Sequence, residues 1–481
     1  MKPGLRVFHP AFGAGVVIAV NLTGPRKRAH VDFGYAQPWV VCDALQFLDG
    51  DAVEDSTPTP AGETSPAGDV VEPQGESDGD GSSADPWPTR FQLTQSQTEA
   101  RTGITALRLG QILEMPALEL TVGTDDLVER LQQALRQTLS GKPTFLLVDG
   151  AWGGGKTHAL TLLQALARKE QVTIGSAVMD GNGVTLFEPM QLMETIVGSF
   201  RVPGSGPEVG LGSVLRTAKR SGKSQTLRAH GAHEIADALD ALPDRAFDDP
   251  EALQCIEDYF SFTLSTSQVR AKLRSLDYNC LPPPVLRARW VEERPRAFAL
   301  LLKCWAQAMP VLGGKGLLVI LDELDVEYAS TAYSNRASWG RRERRRALLG
   351  QLAEMAAHRA PLLVAFGSAP AADVDVENDA VRDLREVLGK GLVHLKVATP
   401  SDADLRLLLA KLARLYQTAY PGSNLGGAGE DASALFRSLN ARYRRPANPV
   451  PRQFVRTALE AFDILATGER GLDGLLRDIT G

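Results

Sequence analysis

The stretch Thr144 to Thr157, TFLLVDGAWGGGKT, constrains this chain more than any other. Phe145 to Val148 is a short apolar run that reads as a fully buried parallel strand. Gly150, Ala151, Trp152, Gly153, Gly154 and Gly155 then lead into Lys156 and Thr157, which matches G-x-x-x-x-G-K-[ST] with no mismatch. Glycines lacking a Cβ let successive backbone N–H groups turn inward around phosphate oxygens, and the following helix offers its positive end to the same anion. Leu160, Leu163 and Ala167 fall at helical spacing, and Arg168 and Lys169 close the helix where its dipole favours cations. The expected binding set is Gly150, Gly153, Gly154, Gly155, Lys156, Thr157 and His158. Lys156 is expected to face solvent and to reach the β- and γ-phosphates, with the Thr157 hydroxyl turned to Mg²⁺.

A second apolar run, Gly316 to Leu321, ends in Asp322 and Glu323. A fully apolar strand cannot hold two carboxylates inside, so they belong at its C-terminal edge, where ligands of open α/β sheets collect. Asp322 is expected to hold Mg²⁺ through water, and Glu323 to orient and deprotonate the attacking water. The expected cofactors are a nucleoside triphosphate, which the resemblance given below implies is ATP, and Mg²⁺, and the expected reaction is hydrolysis of that triphosphate.

Three more strands complete an α/β core: Val172 to Val178, Pro361 to Phe366 with Gly367 and Ser368 at its end, and Leu392 to Val397. Residues from about 208 to 310 alternate amphipathic helices with Gly/Pro breaks, so they form a helical insertion between the second and third strands. Gln92 to Ser140 is largely helical; there Leu120, Val122 and Gly123 either cover the base or belong to an ordinary packing segment. Arg341, Arg342, Arg344, Arg345 and Arg346 cannot all pair locally with Glu343. Contact with nucleic-acid phosphate or an acidic partner competes with a solvated basic helix. From Ser401 onward the chain reads as a helical lid.

The first fifty residues differ in kind. Short Val-, Phe- and Ile-rich runs separated by Gly, Pro and Asn turns predict a small all-β barrel. At its hairpin tip, Arg26, Lys27 and Arg28 are open to nucleic-acid contact or to a solvated turn. Residues 51–90 are Pro, Gly, Ser, Thr and acidic, which predicts a disordered linker. Asp51 to Pro88 carries ten Asp or Glu and no Lys or Arg, so the net charge of −6 leaves +4 on the remainder. The expected domains are therefore 1–50, 51–90, a core over 91–400 and a lid over 401–481.

Hydrophobic content of 43% and charged content of 23% suit a globular chain. The start does not read as a signal peptide and no apolar run approaches a membrane span, which predicts a cytoplasmic protein without a membrane partner. Cys42, Cys255, Cys280 and Cys304 form no C-x-x-C pair and read as reduced thiols.

Two resemblances extend this reading. Gly4 to Val17, GLRVFHPAFGAGVV, with Val31-Asp32-Phe33-Gly34, resembles the Tudor-like SH3 barrels of UvrD-type helicase tails and CarD-type transcription regulators. That resemblance implies a docking module for RNA polymerase or another protein. The phosphate loop, LFEPMQLMETIVGSFRVP, GLLVILDELD, LLLAKLARLYQTAYPG and PRQFVRTALEAFDIL together resemble the ATP-binding proteins of BREX-type phage-defence systems, which are related to AAA-type initiator ATPases of the Orc kind. The fold class implied is an AAA-type P-loop parallel sheet with a large helical insertion and a C-terminal helical lid, preceded by the Tudor-like barrel. By the same resemblance Ser368 stands at the sensor-one position and Arg452 is a sensor-two arginine of the lid. Arg382 and Arg385 stand where oligomeric relatives carry an arginine finger, although they could pair instead with Asp379, Asp383 or Glu386.

The function implied is an ATP-hydrolysing protein of anti-phage defence that forms a nucleotide-dependent homo-oligomer. It would act on or near DNA to load or regulate a partner helicase, nuclease or methyltransferase. The alternative is a nucleotide switch that assembles a complex, or regulates transcription through the barrel, without turnover.

Overall fold

In the computed structural model, the described residues are 6–9, 13–21, 28–32, 39–41 and 46–47, followed by 97–123, 125–151, 153–180, 183–203, 210–261, 263–280, 291–326, 337–369, 379–423, 425, 435–436, 439 and 451–467. The chain divides into two compact units, Met1–Arg90 and Phe91–Gly481. The linker expected at 51–90 lies outside the described residues, as do Arg26 and Lys27.

The first unit holds strands β1 (Arg6–His9), β2 (Gly13–Asn21), β3 (Arg28–Asp32), β4 (Trp39–Val41) and β5 (Gln46–Phe47). They pair antiparallel in the order β4-β3-β2-β1-β5. The β2–β3 register shifts between Val17 and Ala19, a bulge that sharpens the local twist.

The second unit opens with helices α1 (Gln97–Arg108), α2 (Glu114–Leu120) and α3 (Asp125–Leu139). Strand β6 (Thr144–Asp149), helix α4 (Lys156–Lys169) and strand β7 (Thr173–Val178) follow. Between β7 and the next strand lie α5 (Pro189–Gly198), α6 (Leu211–Arg220), α7 (Ser224–Ala229), α8 (His233–Ala241), α9 (Pro250–Phe260), α10 (Thr266–Ser275) and α11 (Arg294–Leu312). The chain continues through β8 (Leu317–Asp322), α12 (Ala337–Met355), β9 (Leu362–Ser368), α13 (Asp379–Leu388) and β10 (Leu392–Lys396). It closes with α14 (Asp402–Ala419) and α15 (Pro451–Thr467).

Strands β6 to β10 form one sheet in the order β10-β6-β9-β8-β7, with every pair parallel. Parallel strands need crossovers that cover both faces, and this is why the strand sequences are continuously apolar. Alternate residues divide between two cores. Leu146, Val148, Leu318, Ile320, Leu363 and Ala365 pack with the interior of α3 and α4. Phe145, Leu147, Val319, Leu321, Val364 and Phe366 pack beneath α5, α11, α12 and α13.

A third core joins α1 to the C-terminal helices through Ile104, Leu107, Leu412, Phe454 and Phe462. Arg101 Nε donates to the Ala419 carbonyl at 2.8 Å, and Arg108 pairs with Asp463 at 2.6 Å. Helix α1 therefore packs as part of the lid although it precedes the sheet in sequence.

The arginine run on α12 is largely paired within the chain, although Arg342, Arg344 and Arg346 keep 38%, 37% and 40% of their side chains exposed. Asp383 of α13 is fully buried and receives Arg345 at 2.6 Å, Arg346 at 2.7 Å and Arg342 at 3.0 Å. Arg345 is only 1% exposed. Arg346 also reaches Glu386 at 2.6 Å, Arg344 pairs with Glu188 at 3.0 Å, and Arg341 stacks over the Phe187 ring. A charge as deep as Arg345 survives only with opposite charge beside it, so Arg345, flanked by Arg342 and Arg346, clamps α12 to α13 through Asp383.

Candidate functional site

The glycines after β6 are needed for distinct reasons. Gly153 and Gly155 have φ of +71° and +106°, a region that side-chain-bearing residues rarely adopt. A Cβ on Gly154 would lie 2.9 Å from the Ala151 carbonyl oxygen, to which Gly154 N–H already donates. The loop thus curls into a cradle that opens on the N-terminus of α4.

Lys156 was expected to face solvent, but it is 9% exposed. Its Nζ donates to the Gly150 carbonyl at 3.1 Å and the Ala151 carbonyl at 3.4 Å. The short distance from the α4 N-terminus back to the loop carbonyls lets the ammonium satisfy itself within the cradle. Burial lowers its pKa, while Asp325, Asp322 and Asp149 oppose that shift.

Thr157 Oγ1 donates to Asp322 Oδ2 at 3.3 Å, which brings the two expected metal-holding residues together. Burial raises the Asp322 pKa against the hydrogen bonds from Glu323 N–H and Thr157. Asp322 Oδ1 accepts Glu323 N–H at 2.8 Å, and Glu323 itself has φ of +60°. Such a backbone costs about 1 kcal/mol or more for a non-glycine residue, and surrounding bonds must hold it. Leu324 N–H supplies one by donating to the Gly367 carbonyl at 2.9 Å. The Glu323 pKa is raised first by desolvation and then by repulsion from Asp322 and Asp325.

Asp325 escaped the sequence reading, although LDELD displayed it three residues after Asp322. Its Oδ1 accepts Ala369 N–H at 2.9 Å, which ties the turn after β9 to the turn after β8. Between these anchors Ser368 is fully buried, and its Oγ has no partner among the described residues. Ser368 stands opposite Asp149 in the β6–β9 register, at the edge where the carboxylates emerge.

A cavity of about 170 Å³ extends from the cradle. Gly153, Gly154, Gly155, Lys156, Thr157, His158 and Arg452 line it together with apolar residues that include Leu107, Ile112, Leu120, Val122, Leu408 and Val455. Three elements thus enclose one space: the phosphate loop, the segment before the sheet, and the lid. Gly123, grouped with Leu120 and Val122 in the sequence reading, instead packs against Asp404, and a Cβ there would overlap that carboxylate. Arg452, near the start of α15, lays its side chain beside Gly110.

His158 Nε2 lies 2.9 Å from the Thr121 hydroxyl, and its pKa is pushed down to about 4 by burial and by the Lys411 cation. Thr121, a second residue the sequence did not disclose, is also bonded through its carbonyl to Lys411 Nζ at 2.7 Å.

Arg382 and Arg385 are not brought into this cavity. Arg382 pairs with Asp379 on its own helix. Arg385 lies 3.5 Å from Asp149 and 3.3 Å from His394 Nε2, beside the end of β6. Among the described residues no cluster of three or more His, Cys, Asp or Glu could hold a metal ion, and no helix is long and apolar enough to cross a membrane. Cys255 and Cys304 are buried free thiols, with pKa values pushed up by burial to about 11 and about 12.

The all-parallel sheet, its strand order and the glycine cradle at the end of a central strand define an α/β protein of the P-loop class. Residues 96–234 match the family described as BREX system ATP-binding protein BrxC/D. No curated protein matches the chain. Among solved structures, a chain of the E. coli MS115-1 HORMA:CdnC:Trip13 complex is 13% identical, with 72% of this chain and 91% of that chain covered at a TM-score of 0.29. The Walker-type ATPase of Pyrococcus abyssi is 14% identical, with 74% and 76% covered at a TM-score of 0.27.

Proposed function

We propose that this chain binds ATP with Mg²⁺ and hydrolyses it as an AAA-type ATPase of a bacterial phage-defence system, where the nucleotide cycle regulates a partner enzyme acting on DNA. The observation that carries the reading is the joining of Thr157 to Asp322 at 3.3 Å, with Glu323 one residue further on. Two hard oxygen donors suit Mg²⁺, which takes few protein ligands and fills its sphere with phosphate oxygens and water. When bound there, the ion would neutralise charge on the transferring phosphoryl group. Lys156 would hold the β- and γ-phosphates by leaving the loop carbonyls for stronger charged acceptors. Glu323 would orient the attacking water and take its proton, a task suited to a carboxylate with raised pKa. Ser368 would offer its unspent hydroxyl to the same water, and Arg452 would bring lid charge to the phosphates. The match of residues 96–234 supports the defence setting.

A second reading, a switch that binds nucleotide without turnover, is favoured by one observation. Both candidate finger arginines have acidic neighbours within their own chain, Asp379 and Asp149. Steady-state phosphate release separates the two readings. Turnover by the wild type that is lost in Glu323→Gln, with nucleotide binding retained, supports the ATPase. Absence of turnover in the presence of DNA and a cognate partner supports the switch. Lys156→Ala serves as the control that binds no nucleotide.

A further inference from the structure

Thr121 carries two hydrogen bonds on one hydroxyl, and their directions are not independent. Its Oγ1 lies 2.6 Å from the Ala117 carbonyl oxygen, which can only accept, so the hydroxyl proton is spent there. The same oxygen lies 2.9 Å from His158 Nε2 and can therefore only accept from it. This places the ring proton of the neutral imidazole on Nε2 and leaves Nδ1 as an acceptor. The residue lines the cavity beside the phosphate loop. The surrounding wall is mainly apolar, so it fills space without distinguishing one base from another. An acceptor in such a wall, which also holds Gln111, favours a ligand with a matching donor, because a ligand without one leaves it unpaired on binding.

We propose that His158, its ring proton committed to Thr121, presents Nδ1 to the nucleoside of the bound nucleotide and selects a nucleoside that places a hydrogen-bond donor there, either an exocyclic amino group or a ribose hydroxyl. The inference rests on the reading of this cavity as a nucleotide site. Thr121 is the positioning residue: its hydroxyl fixes the tautomer, and its carbonyl is held by Lys411 from the lid helix α14. A contact from α14 and the orientation of the reading atom therefore meet at one residue.

The test is equilibrium binding, with Mg²⁺, of ATP, inosine triphosphate, 2′-deoxy- and 3′-deoxy-ATP and inorganic tripolyphosphate. Wild type is expected to bind ATP about tenfold more tightly than the analogue that lacks the recognised donor. Weakening confined to inosine triphosphate assigns the amino group, and weakening confined to a deoxy analogue assigns the ribose. In His158→Phe, which keeps a ring but no acceptor, that ratio should collapse to about one. Thr121→Val, which releases the ring, should lower the ratio, and Thr121→Ser should restore it. Equal binding of all four nucleotides by wild type, or a ratio that survives in both His158→Phe and Thr121→Val, overturns the inference and leaves the nucleotide site standing. Failure of wild type to bind any nucleotide or tripolyphosphate removes the nucleotide site itself.

Discussion

Gly367 owes its identity to Asp322: a Cβ at that position would overlap the Asp322 carboxylate and crowd Leu160. Its backbone is free of positive φ, so space is the constraint. The carboxylate that bonds to Thr157 is seated in the notch left by the missing methyl group. Gly367→Ala should turn Asp322 away from Thr157 while the buried strand β9 remains formed. We expect Mg²⁺-dependent phosphate release to fall by about tenfold or more, the cost of losing one well-placed charged group. Circular dichroism should show an unchanged fold. Wild-type turnover in the variant would mean that the carboxylate position does not matter.

The clamp on Asp383 makes a separate stability prediction. Burial raises the pKa of this carboxyl, but hydrogen bonds from Arg345, Arg342 and Arg346 overcome that and lower it overall. Asp383→Asn leaves the buried Arg345 guanidinium without its counter-charge, so the variant should lose about 3–5 kcal/mol in chemical denaturation. Replacing an exposed partner, as in Glu386→Gln, should cost about 1 kcal/mol or less. Equal effects from the two substitutions would show that the clamp adds nothing beyond surface pairing.

Burial pushes the Glu119 carboxyl up to about 7 from an ordinary 4.5, against the opposing pull of Lys411 and Arg414. A carboxyl raised in the folded state contributes stability that is complete below its unfolded value and is lost as pH climbs through the folded one. Wild-type stability should therefore carry a component that declines as pH rises between 4.5 and about 7. Glu119→Gln removes the ionisation and should flatten that component, leaving the variant with the higher melting temperature on the alkaline side. Melting curves of both proteins across that window decide the matter, and parallel curves would refute it.

The β6 strand, the cradle and the Asp322–Glu323 strand end were legible because each rests on local chemistry: an apolar run, glycines at fixed offsets, and carboxylates that cannot remain inside a sheet. The five strands of the parallel sheet were legible for the same reason, with bounds shifted by one or two residues. What escaped was set by distance in sequence. No spacing rule brings Asp383 to Arg345 across 38 positions, so the basic run read as surface. The Thr121–His158 bond spans 37 positions and depends on how α2 packs on α4. Lys156 misled in another way, since the carbonyls that satisfy it belong to the loop it was expected to leave open.

The two compact units, Met1–Arg90 and Phe91–Gly481, make the last prediction. Among the described residues, the three hydrophobic cores of the second unit are built from residues at or after Ala100, and the cavity lining begins at Leu107. A chain that begins at Phe91 therefore keeps α1, which the lid needs, along with every described residue of the phosphate site. Its ATP affinity should stay within about twofold of the full chain, less than the loss of one ordinary hydrogen bond. Its melting temperature should likewise be little changed. A further cut that removes α1, starting after Arg108, should behave differently. It strips Ile104 and Leu107 from the lid core and the Arg108 partner from Asp463, so the lid should loosen and ATP affinity should drop. Loss of binding already in the shorter truncation would show that the first unit is needed for the site. Retained binding in the longer one would show that α1 is dispensable to the lid.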